Sequence, residues 1–144
     1  MFISVTRLRI RSIRFLPSFL WMTYLSQRQV ARAAGFRGGK LFPDAHNTYW
    51  TITVWESEQT MKAFRGAQPH GKAMRRLPEW CSEAAYAHWD QEGDAPPSWD
   101  EAWKHLKKDG RLSRVAHPSA DHEAGIFPKP RFSPSIARDL KPVV

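Results

Sequence analysis

Strand-type and helix-type periodicities alternate over residues 2–90 in the order β-α-β-β-α-β, and few folds accept that order. "FISVTRLRIRS" (2–12) has period two: Phe2, Ser4, Thr6, Leu8 and Ile10 fall on one face, Ile3, Val5, Arg7, Arg9 and Arg11 on the other. Pro17 and Ser18 open a helix, with Ser18 as the expected N-cap and Gly35 as the C-cap. "FRGGKLF" (36–42) reads as a glycine-kinked strand, "PDAHN" (43–47) as a turn, and "TYWTITVWE" (48–56) as a strand of β-branched and aromatic residues. Ser57 caps the next helix, Gly66 and Pro69 break it, and a second segment runs from about His70 to Cys81. "EAAYAHWD" (83–90) supplies a fourth strand. The order predicts a ferredoxin-like α+β fold, an antiparallel βαββαβ sheet with two helices on one face. The other face is expected to be bare and therefore buried by a second copy of the chain.

A separate helix follows at residues 97–110, within "PPSWDEAWKHLKKDG" (96–110). Ser98 and Glu101 form a capping box, Trp99, Ala102, Trp103 and Leu106 line one face, and Gly110 stops it. Beyond it the chain is proline-rich, with Ile126, Phe127 and Phe132 as its apolar anchors. The expected organisation is a barrel domain over 1–96, an appended helix over 97–110, and an extended or disordered arm over 111–144 that reaches toward a partner.

The net charge of +8 sits at one end: residues 1–43 hold eight of the 22 lysines and arginines and no acid. A basic sheet face could grip nucleic acid, but no aromatic RNP-type signature accompanies it. Glu56, Glu83 and Asp90 lie on neighbouring strands and can pair with the arginines, so nucleic acid is not the expected partner. "SFLWMTYL" is a poor signal core, and the alternation over 2–10 is a strand rather than the basic helix of a transit peptide. No apolar run approaches the roughly 18 residues of a membrane span. Cys81 is the single cysteine, so no intrachain disulfide forms, and a reducing, cytoplasmic setting is expected.

The run "TVWESEQTMKAFRGAQPHGKAM" (53–74) resembles the third strand and second helix of the dimeric α+β barrel superfamily that contains the antibiotic-biosynthesis monooxygenases. The junction Thr53, Val54, Trp55, Glu56, Ser57 carries the likeness. The longer stretch to "EAAYAHW" and "PSWDEAW" is similar to an uncharacterised family near spheroidene monooxygenase, a haem-associated carotenoid oxygenase. The resemblance implies a homodimer and an apolar cleft between helices and sheet that binds a hydrophobic or aromatic small molecule. Many members work without a cofactor and let the substrate activate oxygen. Haem-degrading members use a histidine, a tryptophan and an asparagine at places held here by Met74, Phe64 and Thr6, so that mechanism is not implied.

His70 begins the apolar series His70, Ala73, Met74, Leu77 and is the candidate general base. Trp55, Phe64, Met74 and Thr6 are expected to line the cleft, with Arg7 or Arg9 available to an anionic group if the first strand turns its odd face inward. His88 alternates with Tyr86 and Asp90 and is expected on the bare face. "HPSADHE" (117–123) has no metal-ligand spacing, and no metal site is expected. The reading is a monooxygenase-like protein that is cofactor-free. Its rivals are a haem protein with His70 as axial ligand and a non-catalytic dimeric binding module.

Overall fold

The computed structural model describes residues 1–131 and 137–143. β1 (Phe2–Ile10) leads through a short 3-10 turn to α1 (Leu16–Ala31), then β2 (Phe36–Asp44), β3 (Thr48–Trp55), α2 (Glu58–Gly66), α3 (His70–Trp80) and β4 (Cys81–Asp90). α4 (Trp99–Asp109), β5 (Arg111–Leu112), α5 (Ala120–Ala124) and β6 (Arg138–Leu140) follow. The strands form one antiparallel sheet in the order β5-β4-β1-β3-β2-β6. Its centre is the ferredoxin-like order 4-1-3-2, with one short strand added at each edge.

Local chemistry accounts for most boundaries. Ser57 accepts from the Thr60 N–H while Thr60 reaches back to the Ser57 N–H, a complete capping box. α1 starts earlier than the sequence suggested: Phe15 is at its N-cap, Pro17 lies in its first turn, and Ser18 is inside it. Gly35 adopts φ +81°, and a Cβ there would meet the Thr60 side chain at 2.6 Å, so the turn into β2 needs glycine.

One sheet face carries the helices as expected, and the other does not have its expected role. Ile3 opposes Val54 and Val5 opposes Ile52, and these join Phe42, Trp50, Ala85 and Ala87 in the largest apolar cluster. Trp99, Ala102 and Leu106 of α4 complete that cluster, all nearly or fully buried. The face expected to be bare is therefore covered by the chain's own appended helix, and no second copy is needed to bury it. Trp103, the other aromatic of the predicted stripe, lies beside the cluster, its indole N–H donating to the Phe127 carbonyl at 2.8 Å.

The arginine face is internal too. Arg7 is 5% exposed and Glu83 2%. Arg7 Nη1 donates to Glu83 Oε1 at 2.7 Å, Arg9 Nη1 to Glu83 Oε2 at 3.1 Å, and Ser119 Oγ to Glu83 Oε2 at 2.8 Å. Arg11 pairs with Glu79 at 2.6 Å, whereas Glu56 is taken by Arg37.

The stretch expected to be an extended or disordered arm packs on its own chain where it is described. β6 pairs with β2, placing Leu140 opposite Gly39. His122 is buried, its Nδ1 accepting from the Ala84 N–H at 3.3 Å. Phe132 lies outside the described residues. Among the described residues no helix is long and apolar enough to cross a membrane.

Candidate ligand-binding cavity

On the helix side of the sheet, packing is concentrated at two ends. Phe2, Val30, Phe36, Trp55 and Met61 form one small cluster, and Ile10, Phe19, Trp80, Cys81 and Ala84 the other. Between them lies a cavity of about 290 Å³, floored by β1, β3 and β4 and walled by α1, α2 and α3. Register explains its floor. Ser4 opposes Thr53 and Thr6 opposes Thr51, so hydroxyls rather than branched alkyl groups face the helices. Among the described residues these four hydroxyls make no side-chain hydrogen bond.

The cavity gathers five of the seven candidates named from sequence: Thr6, Trp55, Phe64, His70 and Met74. Trp55 is fully buried, Met74 is 39% exposed, and Phe64 lies between Trp55 and His70 with ring centroids at 5.3 and 4.5 Å. Arg7 and Arg9 are not among the lining residues. They occupy the odd face of β1 and are engaged by Glu83, away from this cavity. His88, expected on the opposite face, lines the cavity instead, with its ring against Phe2 and Tyr86 at 5.1 and 5.2 Å. The alternation on β4 is the cause: Ala85 and Ala87 pack under α4, so Tyr86 and His88 turn toward the helices.

His70 is held at three points. Its ring Nδ1 is 3.0 Å from the Arg65 carbonyl oxygen, an atom that only accepts, so Nδ1 carries the proton and Nε2 is the acceptor of the neutral ring. Its backbone N–H donates to Gln29 Oε1 at 2.8 Å, and Phe64 packs on the ring. Burial pushes the His70 pKa down, with the Arg65 charge adding to the shift and the carbonyl contact only partly opposing it. Burial also lowers His88, again with Arg65 contributing and Glu58 partly offsetting.

Two residues at the candidate site carry almost no signal in the sequence. Gln29 on α1 donates to the Phe64 and Ala67 carbonyls, both at 3.2 Å, while accepting from His70, so it clamps the α2–α3 junction. Replacing it with methionine leaves these groups unpaired and is expected to cost about 1–3 kcal/mol of stability. Denaturant unfolding measures that cost, and the His70 ring proton NMR signals should broaden or move. Arg65, in the last turn of α2, also lines the cavity. Its only sequence signal was its position one residue after Phe64.

Cys81 is buried, and burial pushes its thiol up to about 12, which makes it unreactive at neutral pH. Among the described residues no group of three His, Cys, Asp or Glu side chains could hold a metal ion.

Residues 14–115 match the profile of a family described as Domain of unknown function (DUF3291). The chain belongs to the DUF3291 family. No curated protein matches it. Among solved structures, Rv0793 from Mycobacterium tuberculosis superposes with a TM-score of 0.58 at 12% identity, covering 65% of this chain and 97% of its own. An antibiotic biosynthesis monooxygenase gives 0.57 at 9%, covering 65% and 100%. SnoaB, a cofactor-independent oxygenase from Streptomyces nogalater, gives 0.51 at 16%, covering 67% and 97%. At these identities the likeness is one of fold. This DUF3291 chain has the antibiotic-biosynthesis-monooxygenase-like α+β fold, as the "TVWES" junction implied.

Proposed function

We propose that this DUF3291 protein holds a hydrophobic or aromatic small molecule in the cavity and acts on it as a cofactor-free monooxygenase. The observation that carries the reading is His70, a partly buried imidazole with its tautomer fixed by the Arg65 carbonyl, on the wall of a mostly apolar and hydroxyl-lined cavity. Nε2 accepts a proton from a weakly acidic C–H or O–H of the bound molecule, and the resulting anion is the electron donor to oxygen. Ser4, Thr6, Thr51 and Thr53 orient its oxygens, while Phe64 and Met74 exclude water. The likeness to a cofactor-independent oxygenase supports this reading.

Haem is the less favoured ligand, because a volume of about 290 Å³ lies at the lower limit for drug-sized ligands and a haem is larger than such a ligand.

Oxygen uptake with a polycyclic ketone that carries an acidic methylene, such as anthrone, tests the reading. Wild type is expected to consume oxygen with no added cofactor, and His70→Ala to lose on the order of a hundredfold. Because burial lowers the His70 pKa, the rate should hold as pH falls to about 6.5 and decline only below it. Binding without oxygen uptake points to the non-catalytic module, and a sharp Soret band in a haemin titration that is lost in His70→Ala restores haem.

A further inference from the structure

The cavity wall carries one permanent cation and no acid. Arg65 lines it, no aspartate or glutamate does, and apart from Gln27, His70 and His88 its remaining walls are apolar or hydroxyl-bearing. Among the described residues Arg65 has no ion-pair partner. Glu58, whose charge interacts with it, is bonded to Lys62 at 3.0 Å and lies outside the lining. The chain's other inward-facing arginine, Arg7, shows the contrast: it is buried with a carboxylate supplied by Glu83. A guanidinium on a mostly apolar wall with no carboxylate of its own has been left for one from elsewhere.

The other polar groups on the wall are uncharged donors, among them Gln27 and the hydroxyls of Ser4, Thr6, Thr51 and Thr53. The two histidines that line it add no fixed charge, because partial burial lowers the pKa of both. The site thus offers one positive charge and a set of donors around an apolar volume.

We propose that the cavity selects an organic monoanion, an aromatic or bulky aliphatic carboxylate, with its carboxylate on Arg65 and its apolar body against Phe64 and Leu77. A phosphate ester, with two charges and more acceptor oxygens, would find a single guanidinium and too few donors. The proposal rests on the reading of this cavity as a ligand site and names the ligand's charge. It moves the anion contact from Arg7 and Arg9, where the sequence had placed it, to α2.

Calorimetric titration with 2-naphthoate and with its neutral counterpart 2-naphthamide separates the two claims, using wild type, Arg65→Gln and Arg65→Lys. Naphthoate is expected to bind wild type on the order of tenfold tighter than naphthamide. Arg65→Gln should bring naphthoate down to the naphthamide level, and Arg65→Lys should keep part of the preference. Far-ultraviolet circular dichroism of each variant confirms the fold. Equal affinity of the two probes in wild type overturns the anion inference and leaves the cavity reading standing. A preference that survives in Arg65→Gln overturns it as well, because the charge is then met elsewhere. Binding of neither probe overturns both.

Discussion

Replacing Glu83 with glutamine is expected to lower folding stability by about 3–5 kcal/mol, because it leaves Arg7 as an uncompensated buried charge. The Glu83 carboxylate is the common acceptor for Arg7, Arg9 and Ser119, and among the described residues the Arg7 Nε already lacks a partner. Arg9, with its side chain 38% exposed, can turn to water; Arg7 cannot. Arg9→Gln should accordingly cost no more than about 1 kcal/mol. Replacing Arg7 and Glu83 together with apolar residues of similar size should recover most of the loss. Urea unfolding of the three variants tests this, and equal costs for Glu83→Gln and Arg9→Gln would refute it.

The same network sets an acid limit. Burial alone pushes the Glu83 carboxyl up, but hydrogen bonds from Arg7, Ser119 and Arg9, with the Arg7 charge, outweigh it and hold the pKa below its ordinary value. A carboxyl lowered in the folded state binds its proton more readily when unfolded. Its contribution is therefore complete above the unfolded value of about 4.3 and is lost as pH falls through the folded one. His70 and His88, also lowered, remove stability earlier, as pH drops below about 6.5. Stability should thus fall in two stages on acidification, and Glu83→Gln should flatten the second.

Trp99→Ala is expected to cost about 3–5 kcal/mol and to change the association state. Trp99 is 4% exposed against Phe42, with ring centroids at 5.3 Å, and with Ala102 and Leu106 it seals the apolar face of the sheet. Loosening α4 exposes Ile3, Val5, Ile52 and Val54, a continuous patch that soluble monomers rarely show. Light scattering should record concentration-dependent self-association of the variant above that of wild type. Because the ligand cavity lies on the opposite face, 2-naphthoate affinity measured below the unfolding transition should change little. A variant that loses the ligand but stays in its wild-type association state would show that α4 supports the cavity rather than sealing the sheet.

Much of the fold was legible in residues 2–90 because strand and helix differ in period, and the hydrophobic pattern fixes both element type and inward face. The candidate site was legible only in part. Trp55, Phe64, His70 and Met74 follow one another on one strand end and two short helices, so helical spacing brings them together. Gln29 and Arg65 act across elements, on α1 and at the end of α2, and no local pattern marks such a clamp or an unpaired cation. The sheet faces held a signal that went unread. On β1 and β3 the alkyl groups Ile3, Val5, Ile52 and Val54 alternate with Ser4, Thr6, Thr51 and Thr53. The apolar face therefore had to be the closed one and the hydroxyl face the cavity floor.

By itself, the sequence determined the strand and helix segments of the βαββαβ order, the caps at Ser57 and Ser98, and the helix at 97–110, since each depends on interactions within a few residues. Only the tertiary structure decided where that helix goes. Apolar burial is non-directional, and a stripe of Trp99, Ala102 and Leu106 fits a partner's sheet as well as its own. Docking within the chain turned a face expected to be shared into a core, buried Arg7 beside Glu83, and left the cavity and Arg65 on the other side.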